Sequence, residues 1–486
     1  MREMVERFAA LLAKMPMAMV VVPFAIGIFF AEHAVLPSWL ILLVCAVALV
    51  GVIAFAKWQQ SIALFIMIFA VGTLLHSVSY KGEIPYNKPL EMVLQLETSS
   101  IERQGYTSAE ARIEACEDGL LAGRNVVLWG DSLMRFGAGD RLYITTAIRP
   151  FRMERESYAR LMYHRGFVGS ISVNHRASYG YAPAENRTLH DWAVEQLCSR
   201  MAPGDARAVV LAMATGERGE ISGALRQCYS ASGASHLLAV SGLHIGIAFM
   251  LINILLWPLV LVRYGNVVRS LLAVALIWCY VWLCGMSPSA VRAAIMFSLL
   301  QFSLSSLRQY VSVNVLAGTA FVMLALDSHL LFDISFQLSF IAVAGIVMWA
   351  MPLYRLCATR SKVANAILAI LLVGVASTLI TMPLVANTFS TISLVGVLIN
   401  PVVILLANII VLAGVVAFVL PFVAVVAEMA AEWQNRIVEW AASLPYGHFD
   451  IEFSAWTMWG AYIVFAVVTI TFLLLPKREK TPKIEG

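Results

Sequence analysis

The chain has 486 residues, 60% of them hydrophobic and 13% charged, with a mean hydropathy of +0.79. That balance excludes a soluble globular domain, and a net charge of +4 is too small to argue by itself for a nucleic-acid partner. The seven cysteines (Cys45, Cys116, Cys198, Cys228, Cys279, Cys284 and Cys357) include no CxxC pair and no paired zinc spacing.

Arg2, Arg7 and Lys14 precede the first apolar run, and no cleavage pattern follows them, so this run reads as a retained helix. Apolar runs at 15–31, 36–56 and 61–78 predict N-terminal transmembrane helices within 1–79. With Lys57 between the second and third, the positive-inside rule puts the N-terminus in the cytoplasm and residue 80 outside.

From residue 80 charges return and alternation replaces long apolar runs. Met92–Glu97, Ala111–Ala115, Asn125–Trp129 and Arg141–Ile148 read as strands, with a turn signal at Phe136-Gly137-Ala138-Gly139-Asp140. Short strands over about 90 residues suggest a small barrel within 80–190, an OB-fold being one candidate. Residues 134–187 hold nine Arg against Asp140, Glu154, Glu156 and Glu185, an excess of five positive charges. Aromatics are interleaved, so Arg149, Arg152, Arg155, Tyr158, Arg160, Tyr163 and Arg165 are candidate single-strand contacts. The competing reading makes the aromatics barrel core and the arginines ordinary surface. Residues 191–235 form a helical linker broken at Gly216, Gly219 and Gly223. An exported location permits a disulfide among Cys116, Cys198 and Cys228 without requiring one.

Eight further apolar spans follow at 237–262, 269–285, 290–307, 311–327, 334–353, 363–386, 402–424 and 455–475. The expected fold is therefore an α-helical polytopic membrane protein of about 11 transmembrane helices, with an inserted external β-barrel. Residues 236–475 form the second transmembrane domain, and 476–486 form a polar tail. Arg263, Arg269, Arg308, Arg355, Arg360 and Lys362 fall in gaps this topology assigns to the cytoplasm. Eleven spans put the C-terminus outside, whereas Lys477, Arg478 and Lys480 prefer the inside; a dip or extra crossing around 388–401 would reconcile the two. Val425, Val426, Met429, Trp433, Ile437 and Trp440 make an apolar stripe beside Glu428, Glu432, Arg436 and Glu439, which predicts an interfacial amphipathic helix.

Polar residues inside the spans mark the candidate site, because burying them in lipid is costly. The run from Ser232 to Gly246 carries His236, Ser241, Gly242 and His244. Eight residues place the two histidines about 80° apart on an ideal helix, so both can line one cavity. They are either satisfied core histidines or pathway-lining groups on a helix broken at its glycines. Ser287, Ser289 and Arg292 sit between two apolar runs; Arg292 either snorkels from a loop or offers a guanidinium to phosphate. Asp333 and Gln337 share a helix face, as a cap and interhelical glue or as a counter-charge for Arg292. Asn400-Pro401 reads as a break or re-entrant turn rather than a substrate contact, although Asn400 joins the candidate pathway.

Several blocks together resemble the ComEC-type competence DNA-uptake channel family. They are Gly216-Glu217-Arg218; Gly233 through His236 and Ser241 to His244; Gly285 through Ser287-Pro288-Ser289 and Arg292 to Met296; Asp333 through Gln337 to Phe340; and Pro383 through Ser393 to Asn400-Pro401. Ser157 through Arg165-Gly166 resembles the stretch closing the family's N-terminal OB-like domain. The resemblance covers roughly residues 20–460. It implies a cytoplasmic (inner) membrane channel for single-stranded transforming DNA, with residues 80–235 external or periplasmic. The implied partners are the DNA strand, the bilayer, a cytoplasmic DNA translocase, an external DNA receptor and a nuclease in trans. The family's metallo-β-lactamase-like domain is not expected here, since the chain has no HxHxDH pattern. No catalytic residue, metal or cofactor is expected. Two alternatives stay open: an embedded hydrolase using His236, Ser241, His244 and Asp333 on a lipid or cell-wall substrate, and a transporter of another anion.

Overall fold

The computed structural model describes residues 15–34, 37–54, 58–79, 84–98, 100–103, 106–117, 119, 121–131, 136–151, 159, 162–163, 165–173, 179–183, 188–305, 312–359, 361–389, 391–444, 448–451 and 453–474. The N-terminal runs form helices α1 (Pro16–His33), α2 (Ser38–Ala54) and α3 (Trp58–Ser79). Pro16 opens α1, where its missing N–H has no intrahelical partner to lose. α1 and α3 meet backbone to backbone: a Cβ on Gly27 would collide with the Phe69 carbonyl, and one on Gly72 with the Phe24 carbonyl. Thr73 Oγ1 donates into the same seam, to the Gly27 (3.1 Å) and Phe69 (3.0 Å) carbonyls. Small residues are what permit such approach where lipid supplies no hydrophobic drive between helices.

The β domain is a seven-stranded sheet of β1 (Pro89–Leu96), β2 (Ile101–Arg103), β3 (Tyr106–Cys116), β4 (Asn125–Asp131), β5 (Arg141–Ala147), β6 (Phe167–Val173) and β7 (Tyr179–Ala182). The order is β6-β4-β3-β1-β5-β7, with β2 on β3. Neighbours are antiparallel except β4 and β6, which are parallel. Alternation puts Leu94, Ala111, Ile113, Val126, Leu142 and Ile171 into the core. The described sheet is open, where the sequence suggested a small barrel. The physical reason is edge competition: β7 takes the edge of β5 over Arg141–Ile144. Among the described residues β6 reaches that side through the Arg149–Ser170 bridge beyond the end of β5. The predicted turn is present: Gly137 N donates to Asp140 Oδ2 at 2.7 Å, and Tyr181 OH to the same oxygen at 2.9 Å. All seven cysteines are free.

Residues 189–231 give α4 (Leu189–Cys198), α5 (Asp205–Ala214) and α6 (Gly223–Ala231). This stretch does more than link: every residue from Ala208 to Ala214 is buried. A 3-10 turn over Ser235–Leu238 leads to α7 (Gly242–Leu255), α8 (Gly265–Leu283), α9 (Pro288–Ser305) and α10 (Ser312–Leu326). A second 3-10 turn, Ser328–Phe332, precedes α11 (Ile334–Gly345), a π-helical turn (Ile346–Ala350), α12 (Met351–Cys357) and α13 (Lys362–Phe389). Strand β8 (Thr391–Ser393), α14 (Leu394–Ala417), α15 (Ala424–Ser443), β9 (His448–Asp450) and α16 (Ala455–Leu474) complete the chain order.

Among the described residues five segments are long and apolar enough to cross a membrane: Pro16–His33, Gln60–Val78, Gly265–Leu283, Leu371–Thr388 and Leu398–Ala417. Six other apolar helices are shorter, at 10–17 residues. The expected interruption near 388–401 falls at Thr391–Ser393, where β8 pairs antiparallel with β9. Asn400-Pro401 makes no break, which corrects that reading: α14 runs on through Pro401, whose missing N–H removes one intrahelical hydrogen bond without ending the helix. α15 buries a third face, Ala424, Ala427, Ala431, Gln434, Val438 and Ala441, and leaves Met429, Trp433 and Trp440 exposed. That outward stripe is what a helix lying in the membrane interface needs. Its protein-facing side holds a buried relay in which Gln434 Nε2 donates to Tyr229 OH (3.0 Å) and Tyr229 OH to Asn435 Oδ1 (2.8 Å).

One buried polar chain ties the first helices to the rest. His76, 2% exposed, contacts Glu32 Oε2 at 2.8 Å through Nε2 and Ser328 Oγ at 2.9 Å through Nδ1.

Gly27→Ala is expected to lower stability by at least about 1–3 kcal/mol, because the fixed carbonyl cannot yield. Gly374→Ala, in α13 with open space at its Cβ, is expected to be neutral or mildly stabilising. Thermal unfolding of both variants in one detergent checks the pair; equal midpoints would refute the α1–α3 seam.

Candidate functional site

The motif blocks converge on the start of α7. A tight turn, Thr215 to Gly219, carries Gly216 at φ +86, a region that side chains other than glycine's rarely adopt. A Cβ there would stand 2.9 Å from the Cys284 carbonyl oxygen and 3.3 Å from Val240. The turn is thus wedged between the residue leading into Ser241 and the residue leading into Gly285. Tyr280 OH (3.2 Å) and Cys284 Sγ (3.5 Å) both donate to the Ala214 carbonyl and clamp the same spot. At the other end of the signature, Gly233 has φ +77, and its Cβ would meet Ser393 Cβ at 2.8 Å and Gly396 Cα at 3.4 Å. Ser393 Oγ caps α14 by accepting from Gly396 N at 3.2 Å.

Between these anchors the signature is not one helix. His236 sits in the exposed part of the 3-10 turn, and residues 239–241 are extended before Gly242 opens α7. Ser241 caps α7 in a reciprocal capping box with His244. The Ser241 backbone N–H donates to His244 Nδ1 at 3.4 Å. A neutral His244 then carries its proton on Nε2. That Nε2 is fully buried and has no partner.

Ser289 Oγ donates to the Val240 carbonyl, which ties α9 to the approach to α7. Ser287 lies just ahead of α9, and its buried Oγ has no partner. Arg292 is 3% exposed; its Nη2 donates to Ser335 Oγ at 2.9 Å, while Nε and Nη1 are unpartnered. Asp333 acts on Arg292 through space, but its carboxylate Oδ1 caps α11 by accepting from Phe336 N at 2.8 Å. Gln337 Nε2 donates to the Leu331 carbonyl at 2.9 Å and steadies the turn before it. Asn400, on α14, again has a buried oxygen without a partner.

The structure therefore gathers Ser241, Gly242, His244, Ser289 and Arg292 around the α7–α9 contact, where a Cβ on Gly242 would meet Ala293. Asp333 and Gln337 join through Ser335, which sequence reasoning missed. Its only sequence signal is its place in the first turn after a capping Asp. Also missed was the clamp on the Gly216 turn: His190 Nδ1 donates to the Leu283 carbonyl at 2.8 Å, and Nε2 lies 3.6 Å from Glu217 Oε2. Burial pulls the His190 imidazole down, but Glu217, the Leu283 carbonyl and Asp191 outweigh it, so its pKa is raised.

The β-domain candidates lie apart from this cluster. Arg165 Nη2 pairs with Glu110 at 3.2 Å and stands 5.3 Å over the Phe167 ring. Tyr163 OH accepts from Phe151 N at 3.3 Å and its ring packs edge-on to Phe151, a supporting role. Arg149 lends its backbone to the bridge with Ser170 and its side chain is exposed. Arg152, Arg155, Tyr158 and Arg160 lie outside the described residues. Among the described residues no group of three or more His, Cys, Asp or Glu could hold a metal ion.

A family model described as "Competence protein" matches residues 213–478. An uncharacterized protein of Aquifex aeolicus is 29% identical over 219 residues, 45% of this chain and 49% of that protein. ComE operon protein 3 of Bacillus subtilis is 27% identical over 277 residues, 56% of this chain and 34% of that protein. The protein YcaI of Escherichia coli is 26% identical over 251 residues, 48% of this chain and 33% of that protein. The matched region thus spans a third to a half of the length of these relatives. No solved structure matches the chain.

The raised pKa of His190 carries a pH signature. A group raised in the folded state contributes stability that is complete below its unfolded value of 6.5 and fades as pH rises through the folded value. The difference in unfolding midpoint between the wild type and His190→Gln should be largest near pH 5 and shrink by about pH 9. A pH-independent difference would refute the His190–Glu217 contact.

Proposed function

The chain belongs to the competence protein family, and on that premise we propose that it forms the path by which single-stranded transforming DNA crosses the cytoplasmic membrane. One observation carries this reading. His244 Nε2, Ser287 Oγ, Arg292 Nε and Nη1, and Asn400 Oδ1 are buried without partners, and they come from motif blocks of three separate helices. Such groups cost about 1–3 kcal/mol each in a dry interior, more when charged. Beside a broken helix, His244 and Arg292 fit the wall of a water- and strand-filled passage, the setting in which freed backbone groups are tolerated at membrane depth. Arg292 then supplies fixed positive charge to the strand's phosphates.

In this reading all eleven apolar segments cross the bilayer, the six short ones by tilt or local thinning. The β domain stands outside as an OB-like, partly open barrel, supported by the parallel β4–β6 pair and the Arg149–Ser170 bridge. The strand is pulled by a cytoplasmic translocase and prepared by an external receptor and a nuclease, all in trans. The hydrolase alternative gains nothing from the geometry: Ser241 is engaged in capping α7, and its backbone N–H, not its hydroxyl, meets His244 Nδ1.

Deletion of the gene should leave labelled DNA on the cell surface and abolish its internalisation. Arg292→Ala should cut internalised strand at least about tenfold at wild-type membrane level, while Arg292→Lys keeps part of it, since charge survives without the planar fork. Wild-type uptake by both variants would overturn the passage assignment; failure of both to insert would assign Arg292 to folding.

A further inference from the structure

The connection between α7 and α8 is an unbroken apolar run from Ile254 to Val262. Its middle is a 3-10 turn, Trp257–Leu261, that buries none of its residues. Leu255, Trp257 and Leu261 are 72%, 61% and 80% exposed, which is unfavourable against water. The backbone here closes on itself. Leu259, Val262 and Gly265 donate their N–H groups to the carbonyls of Leu256 (3.1 Å), Leu259 (3.1 Å) and Val262 (2.8 Å). A connection that satisfies its own polar groups and turns apolar side chains outward suits lipid. Trp257 and the exposed Tyr264 then mark the headgroup level, where amphipathic rings settle.

One cation is held beside this turn. Arg269 of α8, half-buried, donates from Nε (3.3 Å) and Nη2 (3.1 Å) to Asn253 Oδ1 on α7. Asn253 Nδ2 donates to the Phe249 carbonyl at 3.0 Å, which fixes the amide with its oxygen toward the guanidinium. An amide orients the charge without cancelling it. Arg207 shows the ordinary alternative: Glu220 neutralises it with contacts of 2.9 Å. Arg269 has no ion pair among the described residues, and the sequence holds no acidic residue between Glu220 and Asp327. Outward apolar residues flank the pair, Met250 and Ile254 on α7 and Val268 and Leu272 on α8. The fitting partner is an anion at the rim of a lipid-facing surface, and a lipid phosphate is such a group.

We propose that Asn253 and Arg269 form a headgroup site for an anionic glycerophospholipid, whose phosphate sits on the guanidinium and whose chains lie along the flanking apolar residues. The bound lipid supplies the counter-charge that the α7–α8 hairpin lacks. It also ties α7, the helix that carries His244, to the bilayer. The inference is independent of what the passage carries.

The test uses the delipidated full chain in dodecyl maltoside and reads its unfolding midpoint against added dioleoylphosphatidylglycerol. Dioleoylphosphatidylcholine and inorganic phosphate at equal concentration are the controls. A ligand that binds only the folded state raises the midpoint, and the wild type should gain about 3 °C or more from phosphatidylglycerol. Asn253→Asp puts a carboxylate on the guanidinium. It should keep or raise the lipid-free midpoint and lose most of the phosphatidylglycerol increment, a combination that misfolding cannot produce. Arg269→Gln should lose the increment as well. A full increment in Asn253→Asp would overturn the site, whether or not Arg269→Gln folds. So would no increment in the wild type, or an equal one from phosphatidylcholine or from inorganic phosphate. An Arg269-dependent increment from single-stranded oligothymidylate, with none from phosphatidylglycerol, would assign the arginine to the strand and overturn the lipid site.

Discussion

Backbone contact at two glycines is the constraint on which the candidate site depends. Gly216 and Gly233 occupy positive φ and stand against the Cys284 carbonyl and the Ser393–Gly396 turn. These contacts anchor the two ends of the signature to neighbouring motif blocks. Each contact is too close for a side chain on the inner partner, and each uses a conformation that a Cβ would strain. His244 and Arg292 each keep a buried donor without a partner beside the hydrogen bonds they do make.

The same economy divides polar residues into two kinds. Asp333, Gln337, Ser289, Ser241 and Ser393 spend their groups on helix ends and neighbouring carbonyls, which builds the frame. His244, Ser287, Arg292 and Asn400 retain buried atoms without partners. In a protein interior such atoms are expensive, and Asn408, Gln434 and Tyr462 each carry one as well. Asp333 shows the distinction: it has the charge to serve Arg292, but its hydrogen bond goes to the α11 terminus.

The helical stretch before the signature also changes role once packed. α5 is enclosed by α14 and α15, and the Tyr229–Gln434–Asn435 relay fastens α6 to the interfacial helix.

Much was legible from one-dimensional pattern, because the bilayer imposes simple length and polarity rules. The eleven apolar segments, the main strands, the turn before β5 and the exposed stripe of α15 follow from periodicity and hydropathy alone. The polar residues inside apolar runs were legible too, since they announce themselves by their cost. What sequence could not decide was pairing at a distance. The sheet stays open because β7 competes for the edge of β5, and β7 is four residues long with no alternating pattern. Ser335 and His190 gain their roles only from what folding brings against them. Which of two polar residues is spent and which is spared depends on tertiary hydrogen bonding, and no local spacing encodes that.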